Sequence, residues 1–408
     1  MISINEAIGL IRENLPAPVE TEYPLDQAVG RWLAEEIRAP EPSPRYTNSA
    51  MDGYAVRWAD LGEPAPEHPA SLTIIGESRA GIPFPGKVGP GQAVRISTGA
   101  MLPVGADTVI RVEDTREEGE RVVITAARGP GQDVRRRGEE FGEGDLLLKK
   151  GVRIAAPQAA LLATVGIAKV RVFKPAEVAL LVTGSELVAE GAAIAEHQIR
   201  DSNMTMLRAA IGESGAAPAA CARITDDLAA TAEAIGRAAA GADIVLCTGG
   251  VSVGRHDHVK EAAEINGFTP LFWRVRQKPG KPLYFAKKGR TLLFGLPGNP
   301  VSAFMCFAHY VRPLIGALAG QTFGWPTVAA RADEEIANRG GRPNMLRVRL
   351  SPGEDGGYLI SDPEKQGSHM LTSLAHADGY LILEPGQTLR AGEQGRVYLY
   401  DFRREPLQ

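Results

Sequence analysis

Two groups of residues in this chain have the types and spacing that chemistry needs. The first is a set of carboxylates that follow short apolar runs: Ser185-Glu186 after VALLVTG, Asp226-Asp227 after ACARIT, and Asp257 shortly after IVLCTGGVSVG. Acids at the ends of neighbouring strands suit a divalent cation or a general base. Taken singly, each is equally explained as a helix N-cap or a solvated acid in a first helical turn. The second group is FWRVRQKPGKP at 272–282, where Arg274, Arg276, Lys278 and Lys281 are stiffened by Pro279 and Pro282 around Gly280. Lysine meets phosphate as a point charge and arginine as a bidentate fork. The prolines hold Lys278 and Lys281 in a fixed relation, unlike an ordinary solvated basic loop.

Glycine-rich stretches lie between these groups. TGGVSVG at 248–254 and GLPGNP at 295–300 allow a ligand close to the backbone, and the second runs straight into a helix, whose N-terminus favours anions. The spacing in TGGVSVG is neither a Walker loop nor the dinucleotide fingerprint, which argues against an ordinary kinase, GTPase or dehydrogenase. Far upstream, TNSAMDGYAV at 47–56 sets one carboxylate, Asp52, among Met51, Tyr54, Ala55 and Val56. Asp-Gly is a common tight-turn dipeptide, so a turn is the local expectation. Arg135-Arg136-Arg137 precede Gly138-Glu139-Glu140, a charge run that by itself is most often solvated. His256-x-His258 is a weak metal-ligand spacing, and Cys221, Cys247 and Cys306 lie far apart in apolar runs, as buried thiols do.

These residues need a scaffold. From Lys174 onward, apolar runs of four to six residues alternate with helical patterns: VALLVTG, NMTMLRAAIGESG, ACARIT, DLAATAEAIGRAAA, ADIVLCTGG, TLLFG and the long VSAFMCFAHYVRPLIGALAG. That order predicts an α/β domain with a mostly parallel sheet covered on both faces, and ligands then bind beyond the carboxyl ends of its strands. Between about 51 and 148 the short runs SLTIIG, QAVRIST, DTVIRVED and RVVITAA predict a β-rich region; LRVRLSP, GYLISD, GYLILE and GRVYLYDF predict a C-terminal β domain. Ser3 and Glu6 have capping-box spacing before Ile4, Ala7, Ile8 and Ile11, one face of a first helix. Leu25–Ile37 has a second, short helical pattern, and APQAALLATVG a third.

With 408 residues the chain has room for two or three domains. Its net charge of −4 argues against general nucleic-acid binding. The start lacks a basic leader, and no run of about 18 apolar residues is apparent, so a soluble cytoplasmic protein without a membrane span is expected.

TNSAMDGYAV, RISTGAMLPVGAD, VRRRGEE, LLVTGSEL, CTGGVSVGRHD, KPGKP, GLPGNPVSA and QGSHML occur here in one order, and together they closely resemble the MoeA family of molybdopterin molybdenumtransferases, which includes the E domain of gephyrin. The resemblance spans essentially the whole chain. It implies insertion of molybdate into adenylylated molybdopterin with release of AMP, dependent on Mg2+. It also implies an αβα molybdopterin-binding sandwich at 1–24 and 175–325, a linker and dimerisation domain at 25–42 and 145–174, an inserted β-rich lobe at 43–144 and a C-terminal β-barrel-like domain at 326–408. The expected assembly is a homodimer whose active site is shared between subunits, with a molybdopterin adenylyltransferase and cofactor-accepting molybdoenzymes as transient partners.

Residue by residue, the resemblance assigns catalytic roles to Asp257, Asp226, Glu186 and Lys278, with Asp226 and Asp257 on the metal. Substrate binding falls to Asp52, Thr98, Arg135, Glu140, Arg274, Lys281 and Pro282, and Arg347 and Ser368 match the molybdate pocket. Glu140 and Arg274 stand where relatives often have Asp and Lys. The competing expectations are an adenylyltransferase-like enzyme, which would lack the β-rich lobe and the C-terminal domain, and a non-catalytic pterin carrier or scaffold.

Overall fold

The computed structural model describes residues 1–251, 257–354, 356–362 and 366–400. Ser252–Gly254 of the TGGVSVG stretch and His256 lie outside the described residues. The chain forms two compact units, one of residues 1–34 and 170–408 and one of residues 35–169.

The first unit is built on a six-stranded sheet in the order 217–224, 177–183, 244–248, 291–296, 284–288 and 269–273. The first four strands are parallel; the last two run antiparallel. The sheet is mostly parallel, as expected, with an antiparallel edge. Its antiparallel end is a meander that carries the 274–283 loop between the strands Thr269–Trp273 and Tyr284–Lys288, neither of which stood out in the sequence because short, mixed-polarity strands give little period.

Side chains alternate across the sheet as a strand's period of two requires. Val178, Leu180 and Val182, with Ile244, Leu246, Leu292 and Phe294, join one core with the first helix and the long helix near 300–318. Ala179, Leu181, Val245, Cys247 and Leu293 join the opposite core with Ile235, Val259 and Ala262. Burying one such Leu or Phe contributes roughly 1.5–3 kcal/mol. The first helix, Ile4–Glu13, begins with the expected capping box, Ser3 with Glu6, and buries Ile4, Ala7 and Ile11.

The helix Pro300–Leu318 has the length and mean hydropathy of a membrane span, a property that the interruptions His309, Arg312 and Pro313 disguise in the sequence. It is 94% buried within the protein, as a core helix is. Residues Phe307–Val311 form a π-helical turn inside it. That turn presents His309 to the C-terminal domain: Nδ1 lies 2.7 Å from the Tyr380 hydroxyl, and the ring stacks on Trp325 at 4.9 Å. The C-terminal domain is a closed five-stranded barrel, 327–332, 358–361, 344–352, 379–383 and 394–399, filled by Ile360, Val348, Leu381 and Val397.

The second unit contains a six-stranded sheet in the order 108–111, 53–56, 92–96, 70–78, 121–124 and 115–118. Asp52-Gly53 is not a tight turn. Gly53 opens the strand Gly53–Val56, which is flanked on both edges, and glycine is required because a Cβ there would collide with the Ile110 carbonyl. Tyr54 and Val56 enter one core of this unit and Ala55 the other, so the apolar residues beside Asp52 anchor it to the central strand.

Two further expectations differ. The helical pattern at Leu25–Ile37 is helix only over Leu25–Ala28, because Gly30 takes φ +89° and Trp32 and Ala34 turn into a separate core with Phe173 and Ala319. Cys221 is exposed, on the edge strand Ala217–Ile224, whereas Cys247 and Cys306 are buried.

Burial pushes the His309 pKa down to about 3 from 6.5, so the folded protein keeps it neutral. Below pH 6.5 the unfolded chain takes up a proton that the folded chain refuses, so stability falls as pH drops from 6.5 toward about 3. The slope from this group approaches ~1.4 kcal/mol per pH unit. His309→Phe is expected to remove that component, read as a smaller loss of urea stability between pH 7 and pH 5 than in the wild type. Identical pH dependence in both proteins contradicts a neutral buried His309.

Candidate functional site

The four parallel strands end on one side, and a cavity of about 530 Å³ lies there. Glu186, Asp226, Asp257 and Pro282 all line it, so the structure brings together four residues that are up to 96 positions apart in sequence (282 minus 186). The alternative explanations for the Asp226-Asp227 pair separate cleanly. Asp227 is the N-cap of the helix Leu228–Ala239, its Oδ1 accepting from Ala230 N at 2.8 Å. Asp226 instead bonds across to the neighbouring strand end. Its Oδ2 accepts from Ser185 N at 2.9 Å and its own N–H donates to Ser185 Oγ at 3.2 Å.

Glycines close the floor of this cavity. Gly249 and Gly250 take φ +81° and +63° at the end of the strand Ile244–Thr248. A Cβ on Gly249 would lie 2.6 Å from Thr183 Oγ1, which itself donates to the Thr248 carbonyl at 3.2 Å. The GLPGNP loop is tied in from both sides: Asn203 Nδ2 donates to Gly298 O at 2.7 Å, and Asn299 Nδ2 to Ser368 Oγ at 3.3 Å. Ser368 of the C-terminal domain is thus hydrogen-bonded to a residue that lines the cavity.

Lys278 and Lys281 are exposed and do not line it, although the adjoining Pro282 does. Their loop is held from within. Gln277, fully buried, donates from Nε2 to Gly280 O at 3.1 Å and accepts a short bond from the Tyr310 hydroxyl, which the π-helical turn supplies. Lys278 is fixed by its backbone, its N–H on Pro343 O at 2.8 Å and its carbonyl accepting from Met345 N at 2.7 Å. Arg274 takes φ +71° and stacks over Trp273 at 4.0 Å, with Lys260 Nζ at 3.5 Å from the same ring. Burial lowers the Lys260 pKa, which Asp257 opposes and Arg274 reinforces. Trp273 in turn donates from Nε1 to Val251 O at 3.0 Å, so this cation–aromatic stack is tied to the residue that follows Gly249-Gly250.

Arg347 is 1% exposed. Its Nε donates to Ser373 Oγ at 3.0 Å and its Nη2 to Gly367 O at 3.3 Å, which organises the segment that carries Ser368. Burial disfavours its charge, and Tyr400 and Asp362 partly offset that.

The remaining candidates belong to the unit of residues 35–169. Asp52 Oδ1 accepts from both Thr98 N at 2.6 Å and Thr98 Oγ1 at 3.1 Å, so these two form one polar group. Glu140 Oε2 accepts from Ser43 Oγ at 2.7 Å, and Arg135 is exposed on a strand paired with Asn48-Ser49.

Among the described residues no three His, Cys, Asp or Glu side chains converge as a metal cage. Four acids line the cavity, Glu186, Asp201, Asp226 and Asp257, of which Asp201 is already bonded to Met204 N and Arg223. That donor set fits Mg2+, which is commonly held by one or two carboxylates and completed by water and substrate phosphate. Sequence reasoning missed the segment Arg200–Asn203, which lines the same cavity. Its one legible signal was Asp201 directly before a helical pattern, an N-cap that the structure shows accepting from Met204 N at 3.0 Å.

Three family models match in sequence order: the MoeA N-terminal region (domain I and II) over residues 2–166, the probable molybdopterin binding domain over 179–317, and the MoeA C-terminal region (domain IV) over 329–400. A molybdopterin molybdenumtransferase of Haemophilus influenzae is 36% identical over 399 residues, covering 96% of this chain and 97% of that protein. The chain belongs to the MoeA family. Another relative, the molybdopterin molybdenumtransferase of Bacillus subtilis, is 35% identical over 93% of this chain and 89% of its own length. The crystal structure of a molybdopterin biosynthesis MoeA protein from Pyrococcus horikosii superimposes with a TM-score of 0.83 at 32% identity, covering 98% of this chain and 99% of that one. Within this MoeA chain, the carboxylate cavity falls in the stretch matched as a molybdopterin binding domain.

Tyr310→Phe leaves the buried Gln277 carbonyl oxygen without its donor, at a cost of about 1–3 kcal/mol. The expected result is a lower urea midpoint together with faster amide exchange in residues 277–282. Exchange in that loop unchanged from the wild type contradicts the role of Gln277 as its internal brace.

Proposed function

We propose that this chain is a molybdopterin molybdenumtransferase: it takes adenylylated molybdopterin and molybdate, hydrolyses the phosphoanhydride to release AMP, and leaves molybdenum on the dithiolene. The observation that carries this reading is the convergence of Glu186, Asp226 and Asp257 in one strand-end cavity with a glycine floor, inside a chain that the three MoeA-family models match in order.

In this reading Asp226 and Asp257 would hold Mg2+, whose charge would offset that of the phosphate. Of the two, Asp226 is already aimed by its bonds to Ser185. Glu186, as a third carboxylate, accepts a proton from the attacking water. Lys278 and Lys281 supply cations for the phosphate oxygens, and the Pro279-Gly280 bend between them limits the entropy lost on binding. Arg274 contributes by stacking on Trp273, which a lysine could not reproduce in plane. Asp52, with Thr98, receives the donor edge of the pterin, and Arg135 and Glu140 support the same substrate. Ser368, positioned by Asn299 and by the Arg347-ordered segment, donates to molybdate together with Arg347. The protein acts in the cytoplasm as a homodimer with the site shared between subunits, a native mass near twice 43.5 kDa being its signature. Molybdopterin adenylyltransferase supplies its substrate and molybdoenzymes accept its product.

The decisive assay follows AMP from adenylylated molybdopterin with and without molybdate. The expected outcome is AMP released in step with cofactor formed, accelerated by molybdate. Binding of the pterin without AMP release identifies a carrier. ATP consumption with adenylylated pterin accumulating identifies an adenylyltransferase. Either result contradicts the proposal.

A further inference from the structure

The lining of the strand-end cavity holds more acids than bases. Glu186, Asp201, Asp226 and Asp257 bring four carboxylates to its lining, while Lys278 and Lys281 stay outside it. A phosphate entering such a space is repelled unless a cation meets it. Among the described residues that line the cavity, Arg200 is the one with a basic side chain.

Its backbone is fixed by a short parallel ladder. Val188 pairs with Arg200 and Leu187 with Ile199; Ile199 N donates to Glu186 O at 3.0 Å and Asp201 N to Val188 O at 2.9 Å. The ladder therefore places Arg200 between the loop of Glu186 and the start of the helix Ser202–Glu213. The adjacent acid does not neutralise it. Asp201 is 3% exposed, caps that helix through Oδ1 at Met204 N, and accepts on Oδ2 from Arg223 Nε at 2.8 Å. Arg200's own contact is Nη2 to Ala192 O at 3.5 Å, the weak limit of a hydrogen bond, and among the described residues no ion pair joins it to a carboxylate. Among the described residues the guanidinium fork is thus held by no carboxylate, and it shares the cavity lining with four.

We infer that Arg200 is a further substrate-binding residue, whose guanidinium receives the phosphate of the adenylate half of the substrate; the inference rests on the molybdenumtransferase reading. A planar fork matches two phosphate oxygens at once, which a lysine's point charge does not. The same group discriminates a nucleotide from a nucleoside, since adenosine gives it nothing to bind.

The test is calorimetric titration of AMP and of adenosine, in the presence of Mg2+, into the wild type, Arg200→Gln and Arg200→Lys, with thermal melts confirming that all three are folded. Loss of a charge-assisted hydrogen-bonded pair is expected to weaken AMP binding ~10-fold or more in Arg200→Gln, with adenosine unchanged and part of the AMP affinity kept in Arg200→Lys. Equal AMP affinity in the wild type and Arg200→Gln overturns the inference while leaving the molybdenumtransferase reading standing. Parallel loss of AMP and adenosine overturns it as well, because it marks a change of shape rather than a lost phosphate contact. A wild type that binds AMP no better than adenosine also overturns it. A wild type that binds neither removes the molybdenumtransferase reading, and the inference with it.

Discussion

Parallel strands impose the constraint on which this site depends. Because four neighbouring strands of the first unit run the same way, their carboxyl ends fall on one side, and each chain reversal there begins at the same depth. Whatever follows those strands is forced into one neighbourhood: Ser185-Glu186, Asp226, the Gly249-Gly250 floor and the GLPGNP loop. Concentrating carboxylates in this way is costly without counterions. The fold accepts the cost because the sheet beneath is stabilised on both faces by large apolar cores, in which Phe285 and Phe294 pack with their ring centroids 4.6 Å apart.

The rest of the first unit braces that edge. One helix, Pro300–Leu318, starts at the cavity as Asn299-Pro300 and continues through a π-helical turn that points Tyr310 at Gln277 and His309 at Tyr380. It therefore touches the ligand-facing loop, the lysine loop and the barrel along one rigid rod. The extra residue of a π turn is what rotates two successive side chains to different partners, and such turns are frequent near functional sites. Trp273 performs a similar task on the other side of the sheet, with Lys260 and Arg274 both over its ring while its indole N–H fixes the Val251 carbonyl.

Much of this was legible in the sequence because the signals were local and repeated. The alternation of apolar runs with helical patterns after Lys174 predicted the α/β layering, and the acids after three of those runs line one cavity. What escaped has physical reasons. The strands Thr269–Trp273 and Tyr284–Lys288 flank an irregular, positively charged loop, so their period was hidden and the antiparallel edge of the sheet was not legible. Gly30 ended a helix that propensity alone would have extended to Ile37. Asp52-Gly53 looked like a turn because the dipeptide is common in turns, whereas the need for glycine came from the Ile110 carbonyl, 57 positions away in sequence (110 minus 53). Asp226 and Asp227 could not be told apart until hydrogen bonds showed which one capped a helix. Arg200 carried no motif of its own; only the cavity gives it company.

The central claim is that the strand-end carboxylates perform the adenylate chemistry, and Asp257 tests it most directly. Asp257→Asn keeps the size of the side chain and one acceptor oxygen while removing its charge. Single-turnover AMP release should fall by several orders of magnitude, as loss of a metal-holding carboxylate costs several kcal/mol of transition-state stabilisation, with the melting temperature close to wild type and AMP still bound. AMP release at the wild-type rate by the folded, Mg2+-saturated variant would contradict the account.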